Sequence, residues 1–223
     1  MYKYETHLHT APVSKCARVS VEDNLIFYKN QGYDGVFITN HFLDGNVNLA
    51  SRDCYEEGIE FYFSDYEKGL EIGKELGIKV FCGVELSFLG TDFLIYGLDK
   101  AWYLAHPEIM QMKKTQELQL MMDSGALVVQ AHPFREEHYI DHIRLFPRHV
   151  HAVEVVNATQ SEFRNSMAKH YAESYDLLFF AGSDNHKGPD AVALAGMCTQ
   201  TPVVSEMDFV RQVKEGLATP FYP

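Results

Sequence analysis

The sequence predicts one α/β domain, and three observations carry that reading. Short apolar runs of strand character alternate with amphipathic helical stretches along most of the 223 residues, as in a largely parallel sheet. Seven such strand-plus-helix units can be counted, which favours a barrel, with an open doubly wound sheet as the alternative. No proline- or serine-rich linker, low-complexity tract or internal repeat divides the chain, so residues 1–223 read as a single domain.

The elements follow in order. Tyr2 to Leu8 reads as a strand, and His7 and His9, two residues apart, project to one side. After a polar loop over 10–18, Ser20 opens a helix with Asp23 as its capping partner and Gly32 as its stop. Residues 35–39 form a second strand ending at Asn40-His41, followed by a long polar loop over 42–57. A helix over 58–76 stops at Gly77, and a strand over 78–84 delivers Glu85. A short strand over 93–96 precedes a helix over 108–124. Residues 126–131 form the fifth strand and deliver His132, and 137–145 read as a short helix. A sixth strand over 151–156, a helix over 162–174 and a seventh strand over 177–181 lead to Asp184 and His186. Ser205 caps a last helix stopped by Gly216, and 219–222 is a tail.

Composition narrows the function classes. Apolar content of 46% with 22% charged residues is ordinary for a globular domain. A formal charge of −12 argues against a nucleic-acid polymer as partner, yet leaves room for a small phosphorylated substrate. Cys16, Cys54, Cys82 and Cys198 form no CxxC pair, so neither a zinc ribbon nor a disulfide scaffold is expected, and free thiols suit a reducing compartment. With no apolar leader and no run near the roughly 20 residues of a membrane helix, the expectation is a cytoplasmic protein without a membrane partner.

The chemistry lies at the expected strand ends. His7, His9, His41, Glu85, His132, Asp184 and His186 all fall there, whereas His106, His138, His142, His149, His151 and His170 do not and read as surface, helix or core residues. Imidazole nitrogen and carboxylate oxygen together hold divalent cations, and a carboxylate can bridge two of them. Ligands arriving from several strand ends at one rim build a polynuclear site.

Taken in order, His7-Leu-His9, Thr39-Asn-His41, Gly83-Val-Glu85, Ala131-His-Pro133 and Gly182-Ser-Asp-Asn-His186 resemble the motifs of the PHP (polymerase and histidinol phosphatase) family. The resemblance implies a distorted (β/α)7 barrel with a metal site at the C-terminal ends of its strands. It further implies a trinuclear centre of zinc, manganese or iron and phosphoester hydrolysis by a metal-activated water. Carried over, His7, His9, Glu85 and Asp184 hold one ion, Glu85 bridges to a second held by His132, and His41 and His186 hold a third.

Two positions depart from the family's commonest pattern. Cys16 stands where the first loop often supplies an Asp or His, and Asp92 where a His often precedes the fourth strand. Both are candidate ligands, so the expectation is two to three divalent ions; Asn40 replaces an Asp often seen before His41.

Glu85 and Asp184 are the catalytic candidates on the metal side. Arg135, three residues past His132, is the candidate phosphate clamp. Lys15, Arg18, Arg164 and Lys187 are weaker candidate cations for substrate, each more readily read as an exposed side chain. Glu154 and Asn157 face the same rim and are expected to contact a metal-bound histidine. Met110, Met112, Met121 and Met122, and the aromatic run from Tyr55 to Tyr66, read as packing. The expected activity is hydrolysis of a small phosphoester, either a phosphomonoester or a nucleotide-like molecule. The alternatives are a metal-dependent hydrolase of another bond, such as an amide, and an inactive metal-binding regulatory protein.

Overall fold

Strand β1 (Tyr2–Leu8) is the axis beside which the rest of the sheet is laid. The computed structural model describes residues 1–48, 54–191 and 193–222. Its remaining strands are β2 (Gly35–Ile38), β3 (Lys79–Phe88), β4 (Thr91–Tyr96), β5 (Leu127–Ala131), β6 (Ala152–Asn157), β7 (Leu178–Gly182), β8 (Gly196–Thr199) and β9 (Ala218–Phe221). They form one sheet in the order β7-β6-β5-β4-β3-β2-β1-β8-β9. The α/β class and the barrel-like sheet match the expectation, but the described residues hold nine strands rather than seven.

Strand β1 lies inside the sheet and also receives its β7 edge. Its N-terminal half pairs with antiparallel β8, from Tyr2 opposite Thr199 to Tyr4 opposite Met197. Its C-terminal end bridges to the segment after β7, where the His9 N–H donates to the Asn185 carbonyl at 3.1 Å and the Asn185 N–H to the His7 carbonyl at 3.2 Å. Buried Glu5 pins this seam, because its Oε1 accepts the backbone N–H groups of Thr6, His7 and Ser183 at 2.9, 2.8 and 3.0 Å.

The helices are α1 (Val21–Asn30), α2 (Tyr55–Leu76), α3 (Lys100–Ala105), α4 (Lys114–Asp123), α5 (Glu162–Ser174) and α6 (Glu206–Lys214). Ser20 caps α1 by accepting the Asp23 N–H, and left-handed Gly77 ends α2, as their chemistry predicts. Helix α2 begins at Tyr55, inside the stretch expected to be loop, and positions 49–53 of that loop lie outside the described residues.

Four expectations need correction. Strand β4 runs antiparallel to both β3 and β5, because Leu89 and Gly90, with φ of 51° and 81°, make a two-residue hairpin after Phe88. No helix separates β3 from β4, so the regular (β/α) alternation breaks there. The single helix expected over 108–124 is a 3-10 turn at Pro107–Gln111 followed by α4, since Met112 takes an extended backbone between them.

The helix expected over 137–145 does not form. The Gln130 side chain donates to the Arg144 carbonyl and accepts the Phe146 N–H, satisfying that loop's backbone from the barrel wall. The tail over 219–222 largely joins the sheet as β9.

The interior of the barrel holds Tyr4, Phe37, Phe81, Leu94, Tyr96, Leu127, Val129 and Phe180, joined by Phe209 from α6, whose ring lies 4.3 Å from that of Phe37. Burial of each such ring contributes about 1.5–3 kcal/mol. This apolar plug is the platform on which polar groups at the C-terminal strand ends are held. Among the described residues, no helix is long and apolar enough to cross a membrane.

Candidate metal centre

Strand alternation turns His7 and His9 to one side, and hydrogen bonds then set each ring. His7 Nδ1 lies 2.9 Å from Glu154 Oε1, an acceptor, so Nδ1 carries the proton and Nε2 faces inward. Glu154 is itself held at Oε2 by the His132 backbone N–H at 3.0 Å and by Asn157 Nδ2 at 2.9 Å. His186 donates from Nδ1 to the Asp184 carbonyl at 3.0 Å, and its ring stacks on that of His9 at 4.0 Å.

The inward atoms converge. His9 Nε2 lies 3.3 Å from Glu85 Oε2 and 3.4 Å from Asp184 Oδ1, and His7 Nε2 lies 3.1 Å from Glu85 Oε1 and 3.5 Å from Asp184 Oδ1. His41 Nδ1 approaches Glu85 Oε2 at 2.7 Å, and His132 Nε2 lies 3.5 Å from Glu85 Oε1. Three interlocking groups result: His7, Glu85 and His132; His7, His9 and Asp184; and His9, His41 and His186.

These groups fit a cation. His9 Nε2, His41 Nδ1, Glu85 Oε2 and His132 Nε2 are buried without an aligned hydrogen-bond partner, although carboxylate and imidazole atoms crowd each other there. An unsatisfied buried polar atom costs about 1–3 kcal/mol. Four such atoms facing one another would be satisfied together by bound cations. The donor set of imidazole nitrogen with carboxylate oxygen suits zinc, manganese or iron.

Protonation tells the same story. Burial disfavours charge on His7, but Asp184, Glu154 and Glu85 outweigh it and lift that histidine well above its ordinary range. Against the same burial, Glu85 and Cys16 raise His41, while Glu85, Asp184 and Asp92 raise His132. His9 alone moves down, through burial and the neighbouring His186 and His41. Glu85 and Asp184 resist the upward push of burial and sit well below the usual carboxylate range because the histidines surround them. Protons thus offset this cluster's negative charge when no cation does.

Backbone geometry is bent to deliver two of these groups. His132 and Asp184 have φ of 24° and 54°, a region that costs non-glycine residues energy and is common at functional sites. Gly182 is required next to them, since a Cβ there would lie 2.5 Å from His7 Cβ and 2.8 Å from Glu154 Oε1.

Above the cluster opens a cavity of about 1040 Å³ whose lining includes Cys16, Arg18, His41, Asp92, Arg135, Arg164, Asp184, His186 and Lys187. Arg18, Arg135, Arg164 and Lys187 therefore surround one space, while Lys15 is exposed and does not line it. Arg135 is 3.4 Å from Asp92 and also bonds the Tyr139 hydroxyl.

With this geometry in view, relatives can be compared. Residues 162–217 match the family model described as PHP-associated. A Bacteroides vulgatus two-domain protein containing a predicted PHP-like metal-dependent phosphoesterase superposes with a TM-score of 0.72 at 13% identity, over 99% of this chain. The fold is shared with PHP-like structures, and the PHP-associated match lies in the C-terminal quarter of the chain. The chain spans 64% of the length of that Bacteroides protein.

A candidate metal-dependent phosphoesterase of Bifidobacterium adolescentis matches with a TM-score of 0.60 at 13% identity, over 95% of each chain. A Chromobacterium violaceum amidohydrolase with bound sulfate and no metal matches with a TM-score of 0.53 at 13% identity, over 97% of each chain. No curated protein matches the sequence.

The two departures from the PHP pattern sit at the edge of the centre. Burial pushes the Cys16 thiol up, but hydrogen bonds with His186 and His41 prevail and bring it to about 6. It adjoins the His9, His41 and His186 group without belonging to it. Asp92 lies 3.8 Å from His132 Nε2, outside all three groups, and is Arg135's partner.

Sequence reasoning anticipated the Glu154 contact to His7, whereas Asn157 reaches Glu154 and Asp184 instead of a histidine, and Glu5, Ser14, Thr10 and Asp65 were missed. Asp65 had a signal. It falls on the α2 face formed by Gly58, Tyr62, Gly69 and Gly73, where a charge needs a buried partner.

Proposed function

We propose that this chain is a PHP-type metal-dependent hydrolase that cleaves a small phosphoester, a phosphomonoester or nucleotide-like molecule, at the rim of the barrel. The observation that carries the reading is the set of buried, unpartnered His9, His41, Glu85 and His132 atoms converging beneath a cavity that also holds Arg135. His7, His9, Glu85, His132, Asp184, His41 and His186 would hold two to three divalent ions, with Cys16 and Asp92 as marginal ligands. When bound, such ions make water acidic enough to supply hydroxide near neutral pH and neutralise charge on phosphoryl oxygens.

The chain's own residues do the remaining work. Arg135 offers paired N–H donors to the phosphoryl oxygens, and Asp92 and Tyr139 aim its side chain. Arg18 and Lys187 face the same space and bind further anionic groups of the substrate, with Arg164 set at 3.7 Å from Glu136. Glu154 keeps the His7 Nδ1 proton in place, so Nε2 stays available. The strand ends bury Glu85 beneath the cavity, while Asp184 reaches its lining.

The likeness to phosphoesterases supports the bond cleaved, and the sulfate bound by the Chromobacterium violaceum neighbour is a tetrahedral anion like phosphate. That neighbour's description as an amidohydrolase favours amide cleavage as the second reading.

Turnover of p-nitrophenyl phosphate and of mononucleotides with zinc, manganese or iron tests the two against a panel of amides. Arg135→Ala is expected to lower kcat/KM for the phosphoester about 100-fold while leaving metal content unchanged. Undiminished phosphoester turnover in that variant would remove the clamp, and turnover of amides alone would favour the second reading.

A further inference from the structure

A directional chain of buried hydrogen bonds ends on His9. His9 Nδ1 lies 3.0 Å from Ser14 Oγ, which lies 2.8 Å from Asn40 Oδ1. Asn40 Nδ2 lies 2.8 Å from Thr10 Oγ1, which lies 2.7 Å from Asp65 Oδ2 on α2. All five residues are at most 4% exposed.

The donors and acceptors in this chain can be assigned without assumption. The Thr10 backbone N–H, which can only donate, points at the same Asn40 atom from 2.7 Å, so that atom is the amide oxygen. Ser14 must then give its single hydroxyl proton to Asn40. The His41 backbone N–H donates to Ser14 Oγ at 3.0 Å, and the oxygen has one lone pair left for His9. Only a protonated Nδ1 can use it. The other end agrees, since Asn40 Nδ2 donates to Thr10 and Thr10 donates to the Asp65 carboxyl group.

We infer that Ser14, Asn40, Thr10 and Asp65 form a positioning relay that holds His9 as the Nδ1–H tautomer, leaving Nε2 bare toward Glu85 and Asp184. Two carboxylate oxygens, Glu85 Oε2 and Asp184 Oδ1, then face His9 Nε2 at 3.3 and 3.4 Å with no proton from His9 between them. A bare nitrogen facing two carboxylates is repelled by them unless a cation lies between, so the relay prepares His9 for metal and disfavours it as a proton carrier. Asp65 reaches His9 only through the other three, and its helix anchors the first loop to the barrel. Asp65 Oδ2 also faces the Val13 N–H at 3.4 Å.

The inference about metal binding rests on the proposed function, whereas the tautomer itself does not. Long-range proton–nitrogen NMR spectra of the chelated, ¹⁵N-labelled full chain read the tautomer, with His9 assigned by its loss in His9→Gln. The expected result is a protonated Nδ1 in the wild type near neutral pH. Ser14→Ala should shift His9 to mixed tautomers or to Nε2–H, and Thr10→Val should shift it less in the same direction. Ser14→Thr should restore it.

Zinc titration of the same proteins should give about 10- to 100-fold weaker binding for Ser14→Ala and recovery for Ser14→Thr. An Nε2–H tautomer in the wild type, or an unchanged Nδ1–H signal in both Ser14→Ala and Thr10→Val, overturns the relay. If Ser14→Ala does not fold, the wild-type spectrum and Thr10→Val decide. A wild type with the expected tautomer and no uptake of zinc, manganese or iron would sink the proposed function and leave the relay standing.

Discussion

Two buried clusters of charge lie side by side in this molecule and differ in one respect. Lys114, Asp44 and Glu117 line a second cavity of about 470 Å³, and there the ammonium lies 2.9 Å from Asp44 and 2.8 Å from Glu117, so its charge is met by bonded partners. Around Glu85, by contrast, four buried atoms have no aligned partner, and carboxylates and imidazoles face one another at 2.7–3.5 Å. Buried charge alone therefore does not mark a functional site. The mark is convergence without mutual satisfaction, which an additional cation would resolve.

The contrast breaks first if Glu85 is dispensable. Glu85→Gln removes the carboxylate shared by His7, His9, His41 and His132, and it is expected to release at least one bound ion per chain and to lower hydrolysis about 1000-fold. Elemental analysis and phosphoester kinetics check both, and full metal content with full activity would place the centre elsewhere. The matching change in the other cluster, Lys114→Met, leaves buried Glu117 and partly exposed Asp44 without their cation. It should destabilise the fold by about 3–5 kcal/mol in urea denaturation and leave metal content intact.

The pH response sharpens the comparison. His7, His41, His132 and His186 have folded values raised above 6.5, so in the chelated protein their stabilising effect is complete below that value and is lost as pH climbs through the raised ones. Glu85 and Asp184 are depressed, and their contribution is lost only on strong acidification. Zinc substitutes for the departing protons. The rise in Tm caused by zinc should therefore grow between roughly pH 6 and pH 8, and a rise that shrinks over this interval would contradict the protonation pattern.

The smallest effect belongs to Glu117, which burial raises to about 7 against the pull of Lys114. Its stabilising effect is full below 4.5 and fades as pH rises to about 7. Glu117→Gln should flatten stability against pH in that interval, measured as denaturation midpoints.

The centre was legible in the sequence because ligands at strand ends must follow apolar runs, and His7, Glu85, His132 and Asp184 do so whatever the detail of the barrel. What surrounds them was less legible, for physical reasons. The hairpin before β4 places Leu89 at φ 51°, which no leucine propensity announces, although Gly90 beside it was a cue. Strands β8 and β9 are four residues each and exist through pairing with β1 and with each other, not through their own pattern.

The loop over 137–145 has helical composition, yet Gln130 and Arg144 hold it in irregular form through contacts distant in sequence. Ser14 and Thr10 looked like ordinary loop residues. Their role appears only when Asn40 and Asp65, 26 and 55 residues further on, are brought beside them.

The most direct test of the central claim is the metal content of the chain purified without added metal or chelator, followed by titration of the chelated protein with zinc, manganese and iron. The account predicts two to three equivalents of divalent metal per chain, lost on chelation and regained with a rise in Tm. No bound metal, no uptake of any of the three and an unchanged Tm would mean that the cluster around Glu85 is satisfied by protons alone, and the metal-dependent reading would fall.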